Sequence, residues 1–572
     1  MATTLRKTNV VIIGLGAAGG VACLPLAQAG LEVIGLEAGS WLDNKDMAPD
    51  ELKLNRGLWP AGPQKTKLEG VTSRANASQT ATRVNHPMMN AVGGTSVHYM
   101  AQSWRLNPWD FKVRSETIRR YGESRIPKGT TLEDWPITYA DLEPYYDHVE
   151  YEIGVSGKAG NIGGKKDARG NIFEGARKRE YPMPALRTSG YMEKMIAAGK
   201  SLGWHPFIAP AAITSRAYNG RPGCAYHGYC IGAGCHINAK SSTAVTTIPK
   251  AMKAGKFTVV TEARVTTIEA DNNGRVAGVN YIKNGEEFFQ PADAVLLASY
   301  VYENVRMLLV SKSKAYPNGL SNNRGQVGRH YFSHNQGGAV SALFPFNLNN
   351  WYGTPGQGIA IDNWADDNFD HSGLDFIGGG NLYVYTERRP MGAVNGVQAW
   401  MQGGQNWGSN WKAFLKENAD RTNGAYLQKT TLPYEDNYLD LDPTVKDPLG
   451  FPVIRITAEY KENERKIGAF IAGKMREWYL AAGAVQVNGT GNVAGAMGAS
   501  THAYGGTRMG DNPETNVVDK WGFSHEASNL GILGGSVMAT SGARNPTQTL
   551  QALAWRTAER LVRNWKNIVT SG

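Results

Sequence analysis

A glycine-rich turn near the N-terminus constrains the fold of this chain more than any other feature. Residues 9–13 (NVVII) form a strand pattern, residues 14–19 (GLGAAG) carry glycines at the spacing GxGxxG, and a helix-like apolar stretch continues through Leu26. A second strand pattern, residues 32–36, ends on Glu37. A strand–turn–helix–strand unit with an acidic residue about 20 positions beyond the glycines is typical of dinucleotide-binding folds.

Each glycine of this turn has a physical task in such a fold. Gly14 permits the tight turn, Gly16 lets the backbone approach a pyrophosphate, and Gly19 lets the helix pack closely on the strand. The helix N-terminus adds partial positive charge. Glu37 would bind ribose hydroxyls, and the alternative is a solvated carboxylate at a strand end. The unit therefore predicts a dinucleotide site, although glycines at this spacing also serve ordinary turns.

The length of the chain predicts more than one domain. At 572 residues it exceeds the roughly 250–300 residues at which a single core stops growing. Strand patterns recur at residues 257–260, 264–269, 276–283 and 294–298, and we expect them to extend the first domain. A glycine- and aromatic-rich segment, residues about 331–460, predicts an antiparallel sheet in a second domain, and an amphipathic helix is expected at 547–565.

Charge and composition narrow the class of partner. The net charge is +10, but lysines and arginines are scattered, whereas a nucleic-acid tract would be dense, so we expect no nucleic-acid partner. The surplus charge favours anionic substrates, anionic partners or a membrane surface. We see no signal peptide and no run of eighteen apolar residues, which predicts a soluble protein that is cytoplasmic, or periplasmic if a partner carries the export signal.

Four further motifs carry a resemblance to a known family. In order along nearly the whole chain they resemble those of the glucose-methanol-choline (GMC) oxidoreductases: residues 91–99 (AVGGTSVHY), 134–137 (DWPI), 502–510 (HAYGGTRMG) and 545–549 (NPTQT). Within that family, residues 221–240 and 363–380 resemble the flavoprotein subunit of gluconate 2-dehydrogenase and related sugar dehydrogenases and pyranose oxidases.

The resemblance implies an α/β FAD-binding domain, Rossmann-like and doubly wound, and an α+β substrate domain with a mainly antiparallel sheet. We expect the FAD-binding domain to be discontinuous and the substrate domain to be inserted into it. The expected FAD-binding segments are residues 1–40, 85–105, 220–330 and 500–572. The expected substrate-binding segments are residues 106–219 and 331–499, and residues 41–84 are expected to be a surface excursion.

The resemblance further implies that His502 and Asn545 face the flavin ring. Oxidation of an alcohol removes a hydroxyl proton while hydride leaves the same carbon, so a base that is neutral near pH 7 must contact the hydroxyl. Histidine meets that requirement, and an asparagine amide can hydrogen-bond and orient the same oxygen. The alternative for His502 is a purely structural role. Thr547 is expected at the pyrimidine end of the flavin.

Other cofactor contacts follow from the same resemblance. His98 occupies the position at which some relatives attach the flavin covalently, and the alternatives are a non-covalent flavin contact or packing. Gly93, Gly94 and Thr95 precede it, and the glycine pair would let the backbone approach the cofactor. Val265 corresponds to a residue at the adenine end of FAD, and the alternative is plain strand core.

A cysteine-rich stretch departs from the pattern of the most similar proteins. Cys224, Cys230 and Cys235 are spaced C-x5-C-x4-C, and His227 stands where the gluconate dehydrogenase type generally has another cysteine. Three thiolates could hold a 3Fe-4S cluster that relays electrons to a haem partner. The alternatives are bare buried thiols or a zinc site. Cys23, on the first helix, is expected to be small core packing.

Together these features predict an FAD-dependent dehydrogenase. It would oxidise a secondary or anomeric hydroxyl of a sugar, sugar acid or glycoside with His502 as base, and pass electrons to a non-oxygen acceptor. A small subunit and a cytochrome c or quinone are the implied partners. The first alternative is a sugar or glycoside oxidase that reduces O2 to H2O2. A remote alternative is a flavin-binding subunit without catalytic activity.

Overall fold

The structure is a computed structural model. It describes residues 2–47, 51, 70–228, 230, 232–334, 340–354, 356–387, 393–394, 397, 400–401, 407–425, 427–491 and 495–570.

The strands of the described residues are numbered in chain order. They are β1 Thr3–Thr4, β2 Thr8–Ile13, β3 Val33–Leu36, β4 Val71–Arg74, β5 Thr82–Val84, β6 Asn161–Ile162, β7 Lys165–Lys166, β8 Pro206–Ile208, β9 Phe257–Val260, β10 Arg264–Ala270, β11 Val276–Lys283, β12 Glu286–Leu297, β13 Phe332–His334, β14 Val340–Leu343, β15 Gly358–Ile361, β16 Gly380–Tyr385, β17 Thr422–Ala425, β18 Gln428–Lys429, β19 Tyr438–Lys446, β20 Pro452–Thr457, β21 Gln486–Asn488, β22 His502–Tyr504 and β23 Leu530–Ile532.

The α-helices of the same residues are numbered likewise. They are α1 Gly19–Gln28, α2 Val113–Tyr121, α3 Tyr139–Ile153, α4 Gly190–Ser201, α5 Thr247–Lys253, α6 Val301–Val310, α7 Gly408–Asn418, α8 Glu462–Ala481, α9 Thr547–Arg563 and α10 Trp565–Thr570.

The largest sheet has the strand order β10-β11-β12-β2-β3-β9. Strands β12, β2, β3 and β9 run parallel, and β23 pairs with β12 in the same direction. Residues 10–13 of β2 and 294–297 of β12 are fully or almost fully buried, as expected for parallel strands covered on both faces. The doubly wound α/β architecture predicted from the first strand–turn–helix unit is confirmed.

Strand β12 belongs to two kinds of pairing at once. Its first half pairs antiparallel with β11, from Glu286 to Pro291, and its second half pairs parallel with β2, from Ala292 to Leu297. A single strand therefore joins the antiparallel β10–β11 ribbon to the parallel sheet. All four strand patterns that the sequence indicated in this region are present.

Helices α1 and α9 pack together over the parallel sheet. Nine residues of α1, from Gly19 to Ala27, are buried, and α9 buries one apolar face that includes Leu553 and Leu561. The helix predicted at 547–565 is confirmed, although α9 ends at Arg563 and a separate short helix begins at Trp565.

Antiparallel sheets form the other half of the protein. One has the order β18-β16-β15-β8, and another the order β17-β14-β21. Helices α4 and α8 pack on these sheets and share their apolar core. The predicted antiparallel character of residues 331–460 is confirmed. Strand β22, which pairs with β13, supplies residues to the cavity described below.

Residues 41–84 differ from the expected surface excursion where the structure describes them. Strands β4 and β5 lie in a four-stranded sheet of order β19-β20-β4-β5, and three residues of β4 are buried. The four residues of β4 (VTSR) are too few to show a periodic pattern, so only their pairing with β20 reveals the strand. Residues 48–50 and 52–69 of this stretch lie outside the described residues.

A buried ion cluster ties three distant segments together. Arg105 donates from Nε to Glu150 Oε1 at 2.8 Å and from Nη2 to Oε2 at 2.9 Å, and Arg177 Nη2 donates to Oε2 at 2.5 Å. All three side chains are essentially inaccessible to solvent. The two guanidinium groups lower the pKa of Glu150 against the effect of burial, so the carboxylate stays charged.

No helix of the described residues has the length and apolarity needed to cross a membrane.

The buried ion cluster generates a stability prediction. Glu150→Gln leaves two buried guanidinium groups without their carboxylate, so the free energy of unfolding should fall by about 3–5 kcal/mol in urea denaturation. The matched control is Glu152→Gln on the same helix, which breaks a partly exposed pair with Lys250. That control should cost about 0–1 kcal/mol. Equal losses for both variants would contradict the importance of the buried cluster.

Candidate active site

A cavity of about 400 Å3 opens at the carboxyl ends of the parallel strands, within the roughly 300–1,000 Å3 of ligand pockets. Its walls include Ile13, Leu36 and Ala298, which end or directly follow β2, β3 and β12. Ligands of open α/β sheets bind at this edge. At the opposite end the cavity reaches His502 and Asn545.

The first glycine turn forms one wall of the cavity. Gly14 has φ +87°, and a Cβ there would lie 2.8 Å from the Ala298 carbonyl oxygen. A Cβ at Gly19 would lie 2.0 Å from the Gly14 oxygen, so the helix could not start where it does. A Cβ at Gly16, by contrast, would meet only Gly94 Cα at 3.9 Å and would project into open space beside the cavity. The turn leaves a cradle that a side chain at residue 16 would fill.

Glu37 is tied to this turn. Its carboxylate accepts hydrogen bonds from the Leu15 N–H at 2.9 Å and from the Gly39 N–H at 2.9 Å. Burial raises the pKa of Glu37 to about 7, although the two backbone donors oppose that rise. The alternative of a solvated strand-end carboxylate is wrong, because the side chain is only 5% exposed. It lines the cavity, where a ribose contact stays a prediction.

A second glycine turn packs on the first. Gly93 N–H donates to the Leu15 carbonyl at 2.8 Å, and both Gly93 and Gly94 have positive φ. A Cβ at Gly94 would lie 2.8 Å from Gly16 Cα. The short 3-10 helix that follows, Gly94–Val97, brings Thr95 and His98 to the cavity wall. The structure thus places His98 beside the cavity, and its covalent bond to a cofactor stays a prediction.

Two predicted residues meet at the far end of the cavity. His502 begins β22, and its Nε2 lies 3.4 Å from Asn545 Nδ2. His502 is half-buried and lines the cavity. Burial lowers the pKa of His502 to about 4. The imidazole is therefore neutral near pH 7, as a base for an alcohol must be.

A second histidine, which sequence reasoning missed, lies behind the first. Strands β13 and β22 pair antiparallel, and His334 stands opposite His502 with ring centroids 5.7 Å apart. His334 Nε2 donates to the Gly542 carbonyl at 2.8 Å, and its Nδ1 lies 3.1 Å from the Tyr504 hydroxyl. Burial, and then His502, lower the pKa of His334 to about 3. No local sequence signal marks His334, because only the strand pairing brings it here.

A buried ion network holds the segment that carries Asn545. Arg544 donates to Asp366 at 2.5 Å and to Asp362 at 2.6 Å, and Asp110 lies 3.6 Å away. All four side chains are buried. Burial and the neighbouring Asp366 raise the pKa of Asp110, which limits the number of negative charges around one guanidinium. Sequence reasoning missed this network, because its members come from three distant segments.

The remaining predicted cofactor residues also border the cavity. Thr547 is the first residue of α9 and lies at the wall next to Asn545. Val265, on β10, is 8% exposed and belongs both to the hydrophobic core and to the cavity lining. Both alternatives for Val265, a cofactor contact and strand core, agree with this position.

The three clustered cysteines do not form a metal site. In the part of the chain that the structure describes, no three His, Cys, Asp or Glu side chains are arranged to hold a metal ion. Burial raises the pKa of Cys224 to about 12 and raises the pKa of Cys230, so both thiols are protonated. Lys240 Nζ instead donates to the carbonyls of Cys230 and Ala233 at 3.1 and 2.9 Å. Cys23 is fully buried, as predicted for core packing.

Comparison with known proteins gives consistent matches. Two family models described as GMC oxidoreductase match residues 132–335 and 433–554. The chain is 31% identical to the gluconate 2-dehydrogenase flavoprotein of Pantoea cypripedii, over 98% of this chain and 94% of that protein. It is 28% identical to the fructose dehydrogenase large subunit of Gluconobacter japonicus, over 99% of this chain and all of the other.

A solved structure shares the fold. The match is a formate oxidase variant of Aspergillus oryzae, solved to follow the effect of mutation on FAD modification, with a TM-score of 0.59 and 14% identity over 99% of this chain and 100% of the other. At that identity the likeness shows the fold alone.

The open cradle at Gly16 generates a binding prediction. Gly16→Val would place a branched side chain in the space beside the cavity, so dinucleotide retained through purification should fall about tenfold or more, which corresponds to roughly 1.4 kcal/mol of lost affinity. Absorption and chromatography of the denatured protein measure the retained ligand. Gly473→Val on the exposed side of α8 is the control, because a Cβ there meets nothing within 4 Å. Full retention in Gly16→Val would place the ligand elsewhere.

Proposed function

Because the chain belongs to the GMC oxidoreductase family, we propose that it oxidises a secondary or anomeric hydroxyl of a sugar, sugar acid or glycoside and passes the electrons to a non-oxygen acceptor. The family acts on CH–OH groups with FAD as cofactor, so the remote alternative of a flavin-binding subunit without activity is set aside. The sugar-like substrate is supported by the names of the two relatives, a gluconate 2-dehydrogenase and a fructose dehydrogenase.

One observation supports this proposal. The neutral His502 and the neighbouring Asn545 line the same cavity as the glycine cradle. A dinucleotide held at the cradle would extend toward the pair. A neutral imidazole and an amide side by side can receive a hydroxyl proton and bind the hydroxyl oxygen at the same time.

His502 and Asn545 would have separate roles in the reaction. The substrate hydroxyl binds between them, and His502 Nε2 accepts the hydroxyl proton as the C–H bond breaks. Asn545 Nδ2 donates a hydrogen bond to the same oxygen and orients the carbon that loses hydride. When bound, FAD supplies the two-electron acceptor for that hydride. The buried Arg544 network holds Asn545 in place.

The cavity residues suggest how FAD would be held. Gly14, Gly16 and Gly19 with the N-terminus of α1 would bind the pyrophosphate, and Glu37 would bind the ribose. The residues that would contact the remaining parts of the cofactor are Val265 at the adenine, Gly93, Gly94, Thr95 and His98 along the ring system, and Asn545 and Thr547 at the pyrimidine end. The open space at Gly16 fits this assignment.

We derive no electron-transfer step through the cysteine loop. The described side chains of Cys224, Cys230 and Cys235 are not arranged to hold a metal ion, so they do not fit a 3Fe-4S cluster or zinc. Electrons would therefore pass from the flavin site directly to a quinone or to a cytochrome c. The name of the fructose dehydrogenase large subunit supports the proposal that a small subunit accompanies this chain.

The lack of a metal-ligand arrangement among the described cysteine side chains favours a second candidate function. An enzyme without a relay cluster can transfer electrons to O2 in its own active site, which would make the protein a sugar or glycoside oxidase that produces H2O2. Turnover of a panel of sugars, sugar acids and glycosides with an anaerobic dye acceptor, compared with H2O2 formation in air, separates the two functions. A holoprotein that oxidises no alcohol with either acceptor would overturn both.

Removal of the base generates the main activity prediction. His502→Asn should lower kcat/KM by about 10²–10⁴-fold while the flavin content stays unchanged. In the wild type, kcat/KM should fall as the pH drops through about 4, because His502 must be neutral to accept a proton. Stopped-flow reduction of the flavin at pH 4–8 measures both effects. Undiminished flavin reduction in His502→Asn would remove this residue from the mechanism.

The proposed tether at His98 generates a separate prediction. Flavin should remain with the pellet after acid precipitation of the wild type, and His98→Ala should release it into the supernatant. His205→Ala changes an exposed histidine that is not part of the cavity lining, so it is the control and should behave as the wild type. Release from the wild type would show a non-covalent cofactor and leave the hydride chemistry untouched.

A further inference from the structure

The two amide contacts of His502 cannot both be hydrogen bonds as they stand, and a contact of Trp104 shows which of them is correct. Gln428 Nε2 lies 3.3 Å from His502 Nδ1, and Asn545 Nδ2 lies 3.4 Å from His502 Nε2. Both amides thus present N–H groups to the imidazole. A neutral imidazole has one N–H and one acceptor nitrogen, so only one of the two amides can donate to it. The other contact would bring two donors together.

Trp104 decides which amide is the donor. Its indole Nε1 donates to Asn545 Oδ1 at 2.7 Å, and both side chains are buried. An indole nitrogen donates and never accepts, so it can only face the oxygen of the Asn545 amide. The amide nitrogen must then face His502. Two edge-to-face contacts, with Phe207 at 6.2 Å and Tyr383 at 6.1 Å between centroids, hold the indole ring in its orientation.

We propose that Trp104 and Gln428 are positioning residues that fix the tautomer of His502, with the proton on Nδ1 and the lone pair on Nε2. This inference rests on the proposed function. Since Asn545 donates toward Nε2, that nitrogen must be the acceptor, and the single proton of the neutral ring lies on Nδ1. Gln428 must then turn its amide by 180° about its last side-chain bond, so that Oε1 accepts the Nδ1 proton.

The consequence for the reaction is direct. The lone pair on Nε2 faces Asn545, which lines the cavity with His502, so a hydroxyl that binds between the two side chains meets an acceptor nitrogen. After it has accepted the proton, Nε2–H faces the amide donor of Asn545, and this repulsion favours loss of the proton before the next turnover. The pair therefore works only with the amide of Asn545 in one of its two orientations.

The surroundings of the ring oppose a lasting positive charge. His334 on β13 is neutral and faces His502, and Lys429 on β18 lies close enough to lower the pKa of His334. Arg544, next to Asn545, is engaged by buried carboxylates. Among the described residues no carboxylate accepts a hydrogen bond from either nitrogen of His502, so amide orientation replaces the acidic partner that often fixes a histidine tautomer.

The kinetic test removes only the indole N–H. In Trp104→Phe the ring contacts with Phe207 and Tyr383 are kept, but Asn545 is free to turn its oxygen toward His502. We expect kcat to fall roughly 10- to 100-fold with KM changed little. The acid limb of kcat/KM should move to higher pH, because an amide oxygen at Nε2 favours the protonated ring.

The matched control is Trp478→Phe. Trp478 is also fully buried and also donates its indole N–H, to the Met195 carbonyl at 2.8 Å, but it lies in the core shared by α4 and α8. A general effect of losing a buried indole hydrogen bond would appear equally in both variants. Wild-type kinetics in Trp478→Phe with the changes above in Trp104→Phe support the proposal, and equal kinetics in the two variants overturn it.

A spectroscopic test reads the tautomer without turnover. Histidine ¹⁵N shifts of the holoenzyme distinguish a protonated ring nitrogen from an acceptor nitrogen, and the His502→Asn variant identifies the signals of His502. We expect Nδ1–H in the wild type and in Gln428→Glu, whose carboxylate can still accept, and loss of that preference in Gln428→Met. An Nε2–H tautomer in the wild type overturns the proposal even if Trp104→Phe fails to fold. If the wild type oxidises no alcohol, the proposed function fails while this measurement still decides the tautomer.

Discussion

The contact of two glycine turns sets the geometry on which the site depends. Gly93 donates to Leu15, and the Cα of Gly94 lies so close to that of Gly16 that a Cβ on residue 94 would come within 2.8 Å. Because backbone meets backbone, the distance between the nucleotide cradle and the segment of His98 cannot vary with side-chain packing. A rigid spacing of this kind would position the ends of a long cofactor. The active pair is placed by β22, which carries His502, and by the segment before α9, which carries Asn545.

Among the described residues, the two histidines at the catalytic end have no group of opposite charge within hydrogen-bond distance. Two groups of buried charges elsewhere do have partners of opposite sign, the pair of Arg105 and Glu150 and the network of Arg544. Desolvation keeps His502 uncharged, and desolvation together with the nearby His502 and Lys429 keeps His334 uncharged. Burial destabilises the protonated form of an imidazole, so it also keeps the ring neutral and able to accept a proton at neutral pH.

Sequence reasoning predicted the features that depend on residues close together in the sequence. The first βαβ unit, the strands of residues 257–297 and α9 have clear periodicities, and the motifs around His502 and Asn545 identify the family. It did not predict His334, Trp104, Gln428 or the aspartates that surround Arg544. Trp104 and Asn545 are 441 positions apart, and their hydrogen bond depends on the packing of two segments that are distant in sequence, which no spacing rule describes. The cysteine spacing suggested a cluster, but the described part of the loop does not arrange the three thiols as metal ligands.

The two-way pairing of β12 also sets the order in which this protein can be completed during synthesis. β2 leaves the ribosome early, but its neighbour β12 follows only at residues 286–297, and β23, which closes the other edge of β12, at residues 530–532. About 500 residues separate β2 from β23, which takes roughly 25–100 s at bacterial or eukaryotic translation rates of about 5–20 residues per second. The sheet beside the glycine turn therefore stays incomplete during most of synthesis, and its apolar strands are exposed to misassociation. Cofactor binding is delayed until most of the chain has been made.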